Sequence, residues 1–173
     1  DLLRAVCQSS LPVILDADAL NLLPLIQHNP RLDTQDPRGG QWILTPHPGE
    51  AARLLRTDNH TVQAHRLMSA RLLAQRYNAV VVFKGAGTLI TQPNRTPALC
   101  VAGNPGMAVG GMGDVLAGFI GGLVAQGLDL HKAACCGVDI HARAGDKAAE
   151  LGGGQRGLLP SDILPYLRQY VNP

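Results

Sequence analysis

The 173 residues are 46% hydrophobic and only 16% charged, which is enough apolar material for one substantial core and argues against a disordered chain. Fifteen Lys and Arg against 13 Asp and Glu leave a net charge of +2 with no clustered basic stripe, so nucleic acid is a poor partner. The longest nearly apolar run, Val115 to Ala125, is far shorter than the roughly 20 residues that a bilayer demands, and no membrane partner is expected.

Asp1 to Ser10 reads as a helix that turns Leu2, Leu3 and Val6 toward a core. Leu11 to Leu15 is a short apolar strand closed by Asp16-Ala17-Asp18, and Ala19 to Ile26 carries helical spacing at Leu22, Leu23 and Ile26. Asn29 to Gln41, rich in Pro, Asp and Gly, is expected to be a loop, followed by the brief buried strand Trp42-Ile43-Leu44. Thr45-Pro46-His47-Pro48-Gly49 leads into a helix starting near Glu50. Thr61 is placed as the cap of a longer helix with Val62, Leu67, Leu72 and Leu73 on its apolar face, ending near Tyr77.

Ala79 to Phe83 is a β-branched run without polar alternation, the pattern of a strand covered on both faces. Lys84-Gly85-Ala86-Gly87 then turns the chain into Thr88 to Thr91, and a turn over Asn94 to Pro97 leads to a strand at Ala98 to Val101. Glycines crowd Gly103 to Gly113, and a helix starts near Asp114. A later helical stretch carries Ala133, Ala134, Gly137, Ala144, Gly145 and Ala148, small residues that permit close helix packing. It ends at Leu151-Gly152-Gly153-Gly154, and Pro160-Ser161-Asp162 opens a last helix over Ile163 to Tyr170. About five strands separated by helices, with no internal repeat and no linker, predict a single α/β layered domain with a largely parallel sheet.

Cys7, Cys100, Cys135 and Cys136 form no C-x-x-C pair, which fits free thiols in a reducing cytoplasm. The six histidines show no metal-ligand spacing, so zinc has little support and surface or capping roles are expected.

The segment Gly103 to Asp114, leading straight into a helix, has the design of an anion site. Glycines let backbone N–H groups turn inward, and the helix N-terminus adds its dipole. Two readings of Asp114 stand: it complements the helix dipole, or it is the base that takes a proton from a hydroxyl attacking a nucleotide phosphate. The segment matches neither a Walker P-loop nor a protein-kinase glycine loop.

Gly110-Gly111-Met112-Gly113-Asp114-Val115-Leu116 resembles the G-x-G-D anion-hole motif of ribokinase-like enzymes. Leu15-Asp16-Ala17-Asp18-Ala19-Leu20-Asn21, Thr45-Pro46-His47-Pro48-Gly49-Glu50 and Phe83-Lys84-Gly85-Ala86-Gly87-Thr88 look like the signature blocks of NAD(P)H-hydrate dehydratases, in order and over most of the chain. Related vitamin kinases more often show Asn at the position of His47, which favours the dehydratase over the kinase.

The resemblance implies a ribokinase-like fold with helices on both faces of the sheet, over a dehydratase domain spanning 1–173. It implies that Asp114 is catalytic and meets the substrate together with His47, Asp16, Asp18 and Asn104. Lys84, Gly85, Ala86, Gly87, Thr88, Gly111 and Gly113 would hold the nucleotide, and Glu50 matches an acidic position associated with Mg²⁺. The implied reaction returns the S form of NADHX or NADPHX to NADH or NADPH, with ADP or ATP as phosphoryl donor. Each residue also has a plainer reading: His47 fixes its turn, Lys84 is solvated, and Asp18 caps the next helix.

A small-molecule kinase for a vitamin or sugar alcohol, and an inactive nucleotide-binding module, are the competing functions. Because the resembled family has a larger sheet, N-terminal strands are expected to be missing and a polypeptide to continue upstream of Asp1. In bacteria such domains are often fused after an epimerase domain, and homo-oligomers are common.

Overall fold

The computed structural model describes residues 2–25 and 41–172. The expected Ile26 and the loop over 29–40 lie outside the described residues. Among the described residues, five strands form one sheet in the order β1 (Val13–Leu15), β2 (Trp42–Leu44), β3 (Val80–Phe83), β4 (Thr88–Thr91), β5 (Ala98–Cys100). β1 pairs parallel with β2 and β2 parallel with β3, whereas β4 is antiparallel to both β3 and β5. Four of the five strands therefore run one way, and the short turn after Lys84 accounts for the exception, since only a hairpin can join adjacent strands so tightly.

Side-chain alternation divides the strands between two cores. Val13, Leu15, Trp42, Leu44, Val81 and Phe83 face one layer of helices: α1 (Leu2–Gln8), α2 (Ala17–Leu22), α3 (Pro48–Leu55), α4 (Asn59–Ala64) and α5 (Arg66–Tyr77). Ile43, Val80, Val82 and Ile90 face the other layer, meeting Leu116 and Ile120 of α6 (Met112–Ala125) and Val138 of α7 (Leu130–Leu151). A third cluster, with Met112, Ala144, Ala148, Ile163 and Leu167, seats α8 (Pro160–Tyr170) on α6 and α7. All four residues of β3 are buried, which explains why its sequence lacks polar alternation.

The small residues of α7 act by packing. A Cβ on Gly137 would lie 2.5 Å from Cγ1 of Ile120 on α6, and one on Gly145 would collide with Sδ of Met107. Several local expectations change. The stretch expected to be one helix from Thr61 is two, because Asp58, not Thr61, caps α4, and its carboxylate accepts from the Thr61 N–H at 2.8 Å. The break at His65 rotates the face, so Leu67 and Leu72 are exposed while Ser69, Ala70, Leu73, Ala74 and Tyr77 are buried.

In α1, Leu2 is exposed, Leu3 and Val6 are half-buried and Cys7 is the buried residue. In α2, Leu22 is exposed and Leu20 is buried in its place, with Leu23 buried in the following 3-10 turn. Among the described residues, no helix is long and apolar enough to cross a membrane.

Candidate functional site

The site lies where β1, β2 and β3 end, the usual position of a ligand crevice in an α/β sheet. The strand ends are stitched together. Thr45 donates its N–H to the Leu15 carbonyl at 3.1 Å, and Lys84 donates its N–H to the Pro46 carbonyl at 2.9 Å. Asp16, His47 and Lys84 thereby leave adjacent strands on one rim.

Asp16 occupies the N-cap position of α2 but makes no side-chain cap; its Oδ1 instead accepts from Lys84 Nζ at 2.8 Å. Ala17 follows with φ of +47°, a left-handed conformation that costs a non-glycine residue roughly 1 kcal/mol or more. That backbone turns the chain into α2 at the residue next to the ion pair. Asp18, in the first turn of α2, is exposed.

The His47-Pro48-Gly49-Glu50 block is a capping box. Nδ1 of His47 accepts from the N–H of Gly49 at 3.0 Å and of Glu50 at 3.4 Å, while Glu50 Oε2 accepts from the His47 N–H at 2.8 Å. Pro48 suits the first helical position, and a Cβ on Gly49 would lie 2.9 Å from Cε1 of the His47 ring. His47 therefore does fix its turn, and half of its side chain remains exposed above a nearly buried Glu50. The second carboxylate oxygen of Glu50 lies 3.4 Å from Nε2 of His47, so both of its oxygens face that residue. Among the described residues, no group of three or more His, Cys, Asp or Glu could hold a metal ion. That donor set fits Mg²⁺ only as an ion carried chiefly by phosphate oxygens and water.

The turn after Lys84 uses glycine where the backbone demands it. Gly85 has φ of +142° and Gly87 φ of +70°, and Thr88 Oγ1 donates to the Gly85 carbonyl at 3.1 Å. Behind the turn stands Arg66, a residue without any local signal in the sequence. Its guanidinium stacks 4.4 Å from the centroid of the Phe83 ring and donates to the Gly87 carbonyl at 3.0 Å. Burial pulls this guanidinium below its ordinary value.

The anion-site segment meets the rim through Gly113. A Cβ there would lie 3.2 Å from Lys84 Nζ and 3.4 Å from Asp16 Oδ2, so the first turn of α6 abuts the ion pair directly. Gly111 is the N-cap of α6 with φ of +91°, and Asp114 is exposed in the first turn beyond it. Gly113 thus sits close against the Asp16–Lys84 pair, His47 and Glu50 join them through Pro46, and the N-terminal amides of α6 complete the corner.

Asn104 lies farther along the same loop. Its amide donates to Asp146 Oδ1 at 2.9 Å and its oxygen accepts from the Gly106 N–H at 3.0 Å. Asp146 and His141, both on α7, had no sequence signal as supports of this loop. His141 is buried, its Nε2 lies 3.1 Å from the Met112 carbonyl, and burial pushes its imidazole down to about 4. Burial raises the thiols of Cys100 and Cys135, the opposite of what a reactive nucleophile requires.

Comparison with known proteins shows the family of the chain. The NAD(P)H-hydrate dehydratase family profile matches residues 1–168. The chain is 51% identical over 173 residues to the bifunctional NAD(P)H-hydrate repair enzyme Nnr of Coxiella burnetii, covering 99% of this chain and 33% of that protein. It is 44% identical over 162 residues to the ADP-dependent (S)-NAD(P)H-hydrate dehydratase of Neisseria meningitidis, covering 93% of this chain and 53% of the relative. The chain therefore spans between a third and about half the length of these relatives. Among solved structures, the ADP/ATP-dependent NAD(P)H-hydrate dehydratase of Bacillus subtilis, co-crystallised with ATP and Mg²⁺, superposes with a TM-score of 0.78 at 32% identity, covering 96% of this chain and 56% of that one. A ribokinase-like superfamily protein of Enterococcus faecalis superposes at 0.71 with 27% identity, covering 92% of this chain and 51% of that one, which agrees with the layered fold. The chain belongs to the NAD(P)H-hydrate dehydratase family.

Proposed function

We propose that this chain carries a nucleotide-dependent dehydration of the S form of NADHX and NADPHX, restoring NADH and NADPH, with ADP or ATP as phosphoryl donor. The observation that supports the reading is the closeness of Gly113 to the Asp16–Lys84 pair, which brings the α6 N-terminus up to the strand-end rim. Hydroxide is a poor leaving group, and phosphorylation converts it into one that departs readily.

In this reading Asp114 takes the proton of the ring hydroxyl as its oxygen attacks the terminal phosphorus of the nucleotide. A carboxylate is a weak base, so proton transfer accompanies oxygen attack instead of preceding it. The bond from phosphorus to the nucleotide breaks, releasing AMP from ADP or ADP from ATP. The ring C–O bond of the phosphorylated hydroxyl then breaks with the ring-nitrogen lone pair assisting, phosphate leaves carrying that oxygen, and loss of a proton from the adjacent ring carbon completes the dihydronicotinamide.

His47, Asp16 and Asp18 form the hydrate side, and the Lys84 to Thr88 turn with Gly111 and Gly113 forms the nucleotide side, while Asn104, expected from the resemblance to meet the hydrate, has its amide and its oxygen bonded within the loop and supports that loop instead. Charge developing on the transferred group meets the Lys84 ammonium and the amides of Gly113 and its neighbours, which are already fixed in place. Mg²⁺ would enter with the nucleotide and neutralise phosphate charge, while Glu50 acts on His47 through the capping box. We assign an epimerase activity to the same native polypeptide, because the Coxiella relative is named as a bifunctional repair enzyme.

The test is to incubate the native full-length protein with NADHX, Mg²⁺ and either nucleotide, following the return of NADH absorbance and the fate of the phosphate. Release of free phosphate with NADH supports the proposal. A stable phosphorylated product identifies a kinase, and tight ADP binding without turnover identifies a nucleotide-binding module.

A further inference from the structure

The glycine-rich loop between β5 and α6 is anchored to one helix at both ends. At its start, Asp146 of α7 spends both carboxylate oxygens on it: Oδ2 accepts the Gly103 N–H at 2.9 Å and Oδ1 accepts the Asn104 amide at 2.9 Å. Asn104 passes the restraint on by accepting the Gly106 N–H at 3.0 Å. Gly106 has no room for a Cβ, which would collide with the Gln155 carbonyl oxygen.

At the loop's end, His141 of the same helix reaches the carbonyl of Met112, the first residue of α6, at 3.1 Å. A carbonyl oxygen cannot donate, so Nε2 carries the proton and donates it. Between the anchors, the side chain of Met107 fills the space left by the missing side chain of Gly145. Charge-assisted bonds to a carboxylate are among the stronger restraints a loop can have, and a buried bond from imidazole to carbonyl is costly to break.

We infer that Asp146 and His141 are positioning residues, which hold the anion-site loop and the first turn of α6 so that Asp114 meets the reacting hydroxyl. Asn104 belongs to this mount: its amide acts through Asp146. The functional half of the inference rests on the dehydratase reading, while the structural half can be measured without it.

The experiment compares Asp146→Asn with the swapped pair N104D/D146N in the native full-length protein. The single change puts an amide against two donors and breaks the mount. The swap rebuilds it with the donor on α7, and the carboxylate then at position 104 still accepts from Gly106. Hydrogen exchange over residues 101–112 should be about tenfold faster in Asp146→Asn and return to wild type in the swap. Turnover should fall about 10- to 100-fold in the single variant, with the Michaelis constant for nucleotide changing less than about threefold, and recover in the swap. His141→Phe should slow turnover likewise, and His141→Gln, which keeps a donor, should restore most of it.

Wild-type exchange and turnover in Asp146→Asn, or a swap as impaired as the single variant, overturns the inference. If Asp146→Asn does not fold, Asn104→Ala leaves the Gly103 bond in place and carries the same test, with wild-type exchange in it counting against the mount. A wild-type protein that makes no NADH from NADHX ends the dehydratase reading, while the exchange data still judge the mount.

Discussion

At the scale of single residues, the corner formed by Asp16, Lys84 and Gly113 separates chemistry from binding. Asp114→Asn preserves shape and removes the proton acceptor, so turnover should be abolished while ADP affinity, measured by calorimetry, stays within about twofold. Full activity in that variant would return Asp114 to a helix-dipole role. Gly113→Val acts differently. The left-handed backbone falls on Gly111, so the cost at Gly113 is steric: its Cβ would lie 3.2 Å from Lys84 Nζ, and two further methyl groups would crowd the amides. The ADP dissociation constant should rise about tenfold or more, and an unchanged value removes Gly113 from the nucleotide side.

His47→Ala deletes the acceptor for two N–H groups at the start of α3, a loss worth about 1 kcal/mol of stability. Because half of the His47 side chain stays exposed on the rim, the same change should raise the Michaelis constant for the hydrate several-fold more than that for the nucleotide. The reverse pattern in steady-state kinetics would exchange the two subsites.

Among the elements, α7 does most to set the geometry, since it packs α6 against the sheet and also mounts the loop that precedes α6. Close approach depends on residues without side chains. Gly137→Val would place a Cβ 2.5 Å from Cγ1 of Ile120, a side chain that is itself fully buried, so neither partner can move into open space. Overpacking of this kind costs about 1–3 kcal/mol, seen as a lower denaturant midpoint with an unchanged slope. A wild-type midpoint would mean that α6 and α7 part more readily than their packing implies.

For the whole molecule, the buried His141 links folding to pH. Its imidazole is pushed down to about 4 by burial, against 6.5 for the unfolded group, so between these values the unfolded chain binds the proton and the folded one does not. Stability is therefore complete above about pH 6.5 and declines as pH falls toward 4, by up to about 3 kcal/mol from this one group. Denaturant titrations at pH 7.0 and 4.5 should show this loss in the wild type and a smaller one in His141→Gln; equal losses would assign the pH dependence to other groups.

Much of this protein was legible before its fold. The β-branched run at Val80–Phe83, the capping residues of His47-Pro48-Gly49-Glu50 and the glycines at the start of α6 are local signals, because periodicity, turn chemistry and capping depend on residues a few positions apart. The layered α/β architecture followed from them, whereas His47, Lys84 and Gly113 of the strand-end rim were singled out by the resemblance of their blocks to a known family, their local signals allowing plainer roles. Local signals also misled: Thr61 cannot reveal that Asp58 caps the helix, and a break at His65 rotates every later position, exposing Leu67 and Leu72. What only the tertiary structure decided are the pairings between distant positions. Asp16 meets Lys84 across 68 residues, Asn104 meets Asp146 across 42, and His141 reaches Met112 across 29. An aspartate or histidine on a helix has the same neighbours in sequence whether it faces water or holds a loop. The difference arises when strand order and helix packing bring a second, sequence-remote group within hydrogen-bond reach.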